Sequence, residues 1–461
     1  MSILKPVRGR LFHQLPIQAG TSFQPGVRHF LRESGGSKNR LHLRVEADGH
    51  GLLLVNASRA FHLNPSAAFM ADLALNEAAI DQAVRSITKR FKVPASQARQ
   101  DYTAFLDQFS ELIDPDGACP ICDLELETTA PFSARPSAPY RMDLALTYRC
   151  NNDCAHCYNA RPRNFPELTT EQWKTTLSKL WDIGIPHIVF TGGEPTLRAD
   201  LPELIAHAEK LGQITGINTN GRKLKDPDYL QRLVDAGLDH AQITFESHQP
   251  EVHDAMVKHS GAWEETLAGL KNALANKLFV MTNTTLLQAN APYLEEQLEY
   301  LAELGVPTVG LNALIYSGRG AEVGTGISEA DLQPLLEIAR RMTTQHSQRL
   351  IWYTPTQYCH FDPIQMELGV KGCTAALYNM CIEPDGSVIP CQSYYQSLGK
   401  FLETPWESIW NHPLAVDLRE RKSAPVACQT CSLLPECGGG CPLAGQTATP
   451  VPVPAAPGLS L

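Results

Sequence analysis

Residues 142–158 read MDLALTYRCNNDCAHCY, an apolar run of strand character that ends in three cysteines, Cys150, Cys154 and Cys157, within eight residues. Thiolates this close in sequence can hold three corners of a cubane iron–sulfur cluster. No fourth cysteine is nearby, so one iron keeps an open position, which is where a metal does small-molecule chemistry. The alternative is a zinc site with His156 as fourth ligand, although cysteines three and four apart fit zinc poorly on their own.

From this stretch toward the C-terminus, strands and helices alternate to about residue 345. The strand candidates are 142–148, HIVFTG (187–192), TGINTN (215–220), AQITFES (241–247), FVMTNTTLL (279–287) and TVGLNALI (308–315). Helical stretches separate them, some closed by a glycine such as Gly184 or Gly237. Six such units predict an α/β fold, a partial (βα)6 TIM-like barrel over 140–345 with chemistry at the C-terminal strand ends. Trp173 and Trp181 on the first barrel helix read as core.

Toward the N-terminus, residues 1–40 carry seven Lys/Arg against one acid and read as a basic flexible arm. Residues 41–112 read as a winged-helix-like module. LHLRVEA (41–47) and LLLVNA (52–57) form a hairpin, Asn64-Pro65 opens a helix, and two more helices follow over 77–91 and 96–112. Nine Lys/Arg against eight Asp/Glu between residues 38 and 112 leave no basic footprint for DNA. Residues 113–139 are a Pro-rich linker holding Cys119 and Cys122. Residues 346–445 hold eight cysteines, and 446–461 form a Pro/Ala tail expected to be disordered.

The 461 residues, 43% apolar and 19% charged, exclude a disordered or collagen-like chain. No apolar run is long enough to span a membrane and no signal peptide is evident, so no membrane partner is expected and the location reads as cytoplasmic. A net charge of −10 argues against nucleic acid as a partner. Thirteen cysteines in such a chain point to metal ligation rather than disulfides.

C-x3-C-x2-C after the first barrel strand, followed by Gly192-Gly193-Glu194-Pro195 after the second, resembles the radical S-adenosylmethionine superfamily over residues 140–320. The resemblance implies that S-adenosylmethionine chelates the open iron and is cleaved by one electron to methionine and a 5′-deoxyadenosyl radical, which abstracts hydrogen. It implies Cys150, Cys154 and Cys157 as the catalytic cluster's ligands. Gly192, Gly193, Glu194 and Pro195 would hold the methionyl amino group, the glycines letting backbone approach the ligand. Asn220, Thr244 and Glu246 stand where the family's strand ends face the cofactor, and Gly318-Arg319-Gly320 resembles its adenine-side segment. Many relatives carry an arginine shortly after the residues matching His253-Asp254. Ala-Met-Val-Lys follows here, and Lys258 reads as solvated.

The C-terminal field, Cys373, Cys381, Gly386, Cys391 and then Cys428-x2-Cys431-x5-Cys437-Gly-Gly-Gly-Cys441, resembles the SPASM-type auxiliary-cluster domain of peptide-modifying radical S-adenosylmethionine enzymes. A zinc reading would pair Cys428/Cys431 with Cys119/Cys122. The resemblance implies two cubane [4Fe-4S] clusters, the first on Cys373, Cys381, Cys391 and Cys441, the second on Cys428, Cys431 and Cys437. The family's further cysteine beyond Cys441 is missing. The second cluster is therefore expected to be open or substrate-ligated, or completed by Cys359, Cys119 or Cys122. Residues 41–112 resemble the precursor-peptide recognition element, similar to the small pyrroloquinoline-quinone chaperone, in which a leader peptide adds as a strand to the sheet edge and tethers its core segment at the barrel mouth.

Together these imply a radical enzyme that oxidatively modifies a ribosomally made peptide or protein, closing a thioether or carbon–carbon crosslink, with a ferredoxin or flavodoxin supplying electrons. Oxidation or decarboxylation of a small molecule or tetrapyrrole is the second reading. A non-catalytic zinc-bearing scaffold is the third.

Overall fold

The computed structural model describes residues 23–34, 37–56, 59–113, 136–276 and 278–444. The expected linker cysteines Cys119 and Cys122, the tail from 445, and residues 1–22 lie outside them.

The N-terminal module is a four-stranded antiparallel sheet in the order β1 (Gly26–Ser34), β2 (Ser37–Val45), β3 (Gly51–Val55), β4 (Arg59–Leu63). It carries three helices, α1 (Pro65–Leu75), α2 (Ile80–Arg90) and α3 (Ala95–Ile113). Asn64 caps α1, its side chain accepting from the Ala67 amide, with Pro65 in the first turn. The expected two strands are four, and the expected basic arm gives way at Gly26 to β1, which pairs with β2 along its whole length. The alternation of β2 explains this. Leu41, Leu43 and Val45 pack into the module's own core, while Arg40, His42 and Arg44 on the opposite face are also buried, facing the second domain.

That domain runs β5 (Arg141–Thr147), α4 (Thr170–Ile183), β6 (His187–Gly192), α5 (Leu201–Leu211), β7 (Ile214–Thr219), α6 (Pro227–Asp235) and β8 (His240–Thr244). It continues with α7 (Pro250–Val257), α8 (Ala262–Ala275), β9 (Phe279–Thr285), α9 (Leu294–Glu303), β10 (Thr308–Asn312), α10 (Glu329–Gln345) and β11 (Arg349–Trp352). The six expected strands are all present, and β11 makes a seventh parallel strand, so the barrel extends beyond the expected limit at 345. On the other side of β5 the sheet gains β12 (Asn379–Ile382), parallel to β5, then β13 (Ser387–Ile389) and β14 (Gly399–Lys400), both antiparallel. The cysteine-rich region therefore grows from the edge of the barrel sheet.

Helix α4 shows how the sequence builds a barrel layer. A reciprocal capping box joins Thr169 and Gln172, Gly184 closes the helix in the left-handed conformation, and Trp173, Leu177 and Leu180 form the buried stripe. Trp181 departs from its expected core role. It lies at the seam, edge-on to His29 at 5.9 Å and His42 at 5.8 Å.

Candidate active site

The cysteine loop leaves the C-terminal end of β5, and the segments after β6, β7, β8 and β10 all grip it. After β6, the Gly193 amide donates to Thr147 O at 2.7 Å and the Glu194 amide to Arg149 O at 2.9 Å. A Cβ on Gly192 would stand 2.1 Å from Thr147 O, and one on Gly193 2.3 Å from Arg149 O. A close approach to the cysteine loop's own backbone thus already demands glycine at both positions. After β7, Asn220 Nδ2 donates to Asn151 Oδ1 at 2.6 Å. The buried Arg222 donates to Asn151 O at 2.6 Å and Asn152 Oδ1 at 2.8 Å while pairing with Glu265. At the end of α7, Val257 O and Met256 O accept from the amides of Asp153 and Ala155. After β10, Gly320 N donates to Cys157 O at 3.3 Å, and Arg319 pairs with Asp153 at 2.8 Å.

The acidic residues expected at the cofactor are committed to this scaffold through their side chains. Glu194 is buried, and Oε1 accepts from the Thr196 amide and from the hydroxyls of Thr196 (2.6 Å) and Thr219 (2.7 Å). Its Oε2 accepts from the Asn220 amide at 2.7 Å. Pro195 follows in a buried turn over Pro195–Leu197. Glu246 is equally buried and joins His156 Nε2 at 3.0 Å and the Thr285 amide at 2.9 Å. His156, the alternative zinc ligand, is therefore held by Glu246 through one ring nitrogen. Thr244 closes β8 half-buried. His253 Nδ1 accepts from the Glu246 amide and Asp254 caps α8, accepting from Gly261 and Trp263, while Lys258 is exposed.

Burial pushes the Cys150 thiol up to about 11, with Glu194 and Cys157 adding to it. Burial likewise raises Cys154 strongly, with Cys157, Glu246 and Cys150 adding. Cys150 and Cys154, shielded and with carboxylates behind them, stay protonated at neutral pH unless a strongly electropositive centre lies between them and the neighbouring Cys157. This donor set fits an iron–sulfur cluster held on three corners.

The C-terminal cysteines fall into two groups. Burial raises Cys391, with Cys373 and Cys441 as its cysteine neighbours, and it takes Cys441 up to about 11 with Cys373 adding to the rise. Cys381 is set deeper. It lies on β12, fully buried in an apolar cluster with Ala145, Tyr148 and Ile389, and Asp143 acts on it more strongly than Cys391. The other group is Cys428, Cys431 and Cys437, joined by Cys359. Arg421 stands between the groups, donating to Cys373 O at 2.7 Å and sensing both Cys373 and Cys437. Among the described residues no three His, Cys, Asp or Glu side chains converge on a single-ion position. A cubane spreads its thiolates farther apart than one ion does.

Three family models match the chain: the radical SAM superfamily over residues 144–288, an iron–sulfur cluster-binding (SPASM) domain over 373–432, and the coenzyme PQQ synthesis protein D family over 50–112. This is a radical SAM iron–sulfur enzyme. It uses S-adenosylmethionine and iron–sulfur clusters, as the superfamily and cluster-binding domains require. The radical SAM enzyme is 29% identical over 327 residues to the Fe-coproporphyrin III synthase of Methanosarcina barkeri (strain Fusaro / DSM 804), covering 64% of this chain and 81% of that one. It is 27% identical to the AdoMet-dependent heme synthase of the same organism over 323 residues, 66% of this chain and 92% of that one. In fold it is similar to Streptococcus suis SuiB bound to precursor peptide SuiA, with a TM-score of 0.66, 16% identity and coverage of 90% and 96% of the two chains. No helix among the described residues is long and apolar enough to cross a membrane.

Several residues that shape the enzyme's site escaped the sequence reading. Arg222 and Arg163 clamp the cysteine loop, Arg163 through the carbonyls of Cys150 and Asn152, beside Arg319 of the segment that the sequence reading placed on the adenine side. Tyr158, beside Cys157, donates to Gln392, beside Cys391, at 2.6 Å. Arg161 makes a two-pronged pair with the buried Glu383 at 2.7 and 2.9 Å. These two links join the catalytic loop to the cysteine-rich region. Arg222 alone had a local signal, being the next charged residue after Asn220-Gly221 at a strand end.

Proposed function

We propose that this radical SAM enzyme modifies a ribosomally made peptide or protein, forming a thioether or carbon–carbon crosslink by net oxidation. The observation that carries the reading is the PqqD-type module, whose sheet has β1 and β4 as its outer strands, locked to the radical SAM barrel in one chain. An edge strand offers unpaired backbone groups to an extended peptide, and tethering raises the local concentration of the segment to be modified. In this reading Cys150, Cys154 and Cys157 hold the catalytic cluster, and Gly192, Gly193, Glu194, Pro195, Asn220, Thr244 and Glu246 frame S-adenosylmethionine. Cys373, Cys381, Cys391 and Cys441 hold one auxiliary cluster, and Cys428, Cys431 and Cys437 belong to the other. When bound, the cluster and S-adenosylmethionine supply a 5′-deoxyadenosyl radical that abstracts hydrogen from an unactivated carbon.

The chain's residues supply what such a radical needs. The buried Glu194 and Glu246 fix the loops around the site by internal hydrogen bonds to polar groups at the strand ends and to His156. Crosslink formation removes a pair of electrons: one leaves with the hydrogen atom that ends in 5′-deoxyadenosine, and a cluster held by the auxiliary cysteines would accept the other as the substrate loses a proton. A ferredoxin or flavodoxin returns single electrons to the catalytic centre.

The names of the two Methanosarcina relatives favour a second reading, oxidation or decarboxylation of a tetrapyrrole. The deciding experiment titrates labelled peptides encoded beside this gene, and separately iron coproporphyrin III, into the full-length reconstituted enzyme. Reductant and S-adenosylmethionine are then added. The expected result is tight binding of one peptide and its loss of a hydrogen pair, coupled to 5′-deoxyadenosine. Turnover of the porphyrin with no peptide bound would overturn the peptide reading.

A further inference from the structure

The C-terminal run brings three cysteines, Cys428, Cys431 and Cys437, to the second auxiliary group, and residues 442–461 hold no further one. A fourth thiol reaches it from another part of the fold. Cys359 lies on the segment that leaves the C-terminal end of β11, the last strand of the parallel sheet. That segment is anchored at its start, where buried Trp352 donates Nε1–H to Thr356 Oγ1 at 2.9 Å and the Thr356 amide donates to Lys371 O at 3.0 Å. The Tyr358 hydroxyl accepts from the Lys371 amide at 3.0 Å.

So fixed, the segment lies directly on the Cys437 turn. The Tyr358 amide donates to Cys437 Sγ at 3.4 Å, and Cys437 Sγ stands 3.6 Å from Thr356 O. Gln357 Nε2 donates to Gly439 O at 3.0 Å. Successive turns hold the other two thiols to Cys437. The Cys431 amide donates to Cys428 O at 3.0 Å, Leu434 to Cys431 O at 3.2 Å, and Cys437 to Leu433 O at 2.8 Å. The backbone on one side of Cys359 thus touches the sulfur of one member of the group. Cys359 also lies within electrostatic reach of Cys437 and Cys431, and Cys428 within reach of Cys437 and Cys359.

We propose that Cys359 is the fourth ligand of the second auxiliary cluster, completing Cys428, Cys431 and Cys437. The assignment rests on the iron–sulfur reading above and replaces the open or substrate-ligated iron expected from the sequence. It also sets a role for that cluster. With a cysteine on every iron it has no site for substrate, so it carries electrons. The ligand comes from the segment that follows the barrel's seventh strand, which ties the cluster to the wall of the barrel.

The test measures iron and acid-labile sulfide per chain, together with the electron paramagnetic resonance spectrum, in anaerobically reconstituted full-length protein. The variants are Cys359→Ala, Cys428→Ala, Cys119→Ala and Cys122→Ala. Cys359→Ala and Cys428→Ala are each expected to lose one cluster's iron, or to leave a three-iron signal on oxidation. Cys119→Ala and Cys122→Ala are expected to keep the full content. Loss in Cys428→Ala with wild-type iron and spectrum in Cys359→Ala overturns the assignment. Full iron in both shows that the second cluster is absent, and the underlying reading falls with the proposal.

A second measurement needs no variant. Cys359 is exposed at the protein surface. In the loaded wild-type enzyme it is expected to resist iodoacetamide and to become labelled once iron is chelated away. Equal labelling before and after chelation overturns the proposal.

Discussion

Glu246 shows what one buried side chain does here and how far its sequence context could reveal it. Its place at the end of β8 marks it as facing the catalytic end of the sheet, and that much was legible. Its partners were not, because His156 is ninety residues away and Thr285 is on the next strand. The same holds for Glu194, whose bonds reach Thr219 and Asn220. Polar strand ends can be read from a sequence, whereas the loops they hold are chosen by the fold. Replacing Glu246 by Ala leaves the Thr285 amide and the His156 ring nitrogen buried without acceptors, at about 1–3 kcal/mol for each unsatisfied group. The cysteine loop should then loosen. We expect Glu246→Ala to lose catalytic-cluster iron to a chelator at least several-fold faster than wild type. Glu246→Gln, which keeps one acceptor, should fall between them. Release at the wild-type rate from Glu246→Ala would show that the four other clamps hold the loop without it.

At the scale of elements, the barrel strands were legible because they are continuous apolar runs, and α1 because Asn64-Pro65 announces it. β1 was not, because its basic residues suggested a solvated arm. β12, β13 and β14 are too short, at four, three and two residues, to show any period. β2 was read as a strand, but its alternation hid which face meets protein. Arg44 donates to the carbonyls of Ala138, Pro139 and Gly184, and Arg40 donates to Gln213 O and pairs with Glu209 and Asp239. A polar face that reads as solvent-exposed is the interdomain seam. Histidines share the buried region: His42 meets Gly212 O at 2.8 Å and His29 at 3.1 Å, and His240 meets His187 at 3.0 Å. Burial holds His42 down to about 3, helped by His29 and Arg40 against the pull of Gly212 O, and burial with Arg141 does the same for His240. In the unfolded chain each titrates near 6.5. The unfolded state therefore takes the proton first, so this stability is complete above about pH 6.5 and lost as pH falls toward 3. The loss is about 1.4 kcal/mol per pH unit for each histidine. Unfolding midpoints measured between about pH 7 and 5 should fall accordingly, and His42→Asn should flatten the slope by about half of the two histidines' share. A slope unchanged by that substitution would show that His42 does not set it.

For the whole molecule, the cysteine count pointed to metal chemistry, but the relative placement of the domains had no sequence signal. Every contact of Arg40 and Arg44 across the seam lies just before β5, β6, β7 or β8, or at the ends of the helices leading into them. His62 of β4 meets Tyr140, immediately before β5, at 2.9 Å. The module thus sits at the N-terminal ends of the strands, while the cysteine loop leaves their C-terminal ends. The tether expected at the barrel mouth starts from the opposite side. A peptide strand bound at the module's sheet edge must cross the length of β5, seven residues or roughly 20 Å, before it reaches the catalytic loop. Extended chain covers at most about 3.3–3.6 Å per residue, so a direct path needs at least roughly six or seven residues and a path around the helices needs more. Shortening the spacer between the bound strand and the modified residue below about six residues should abolish modification while leaving binding intact. Lengthening it should have little effect, because each doubling of a flexible loop costs only about 0.6 kcal/mol. Binding and product mass are measured on the same peptide series. Modification that survives a spacer of about three residues would mean that the strand binds beside the catalytic loop, since no extended segment of that length crosses the barrel.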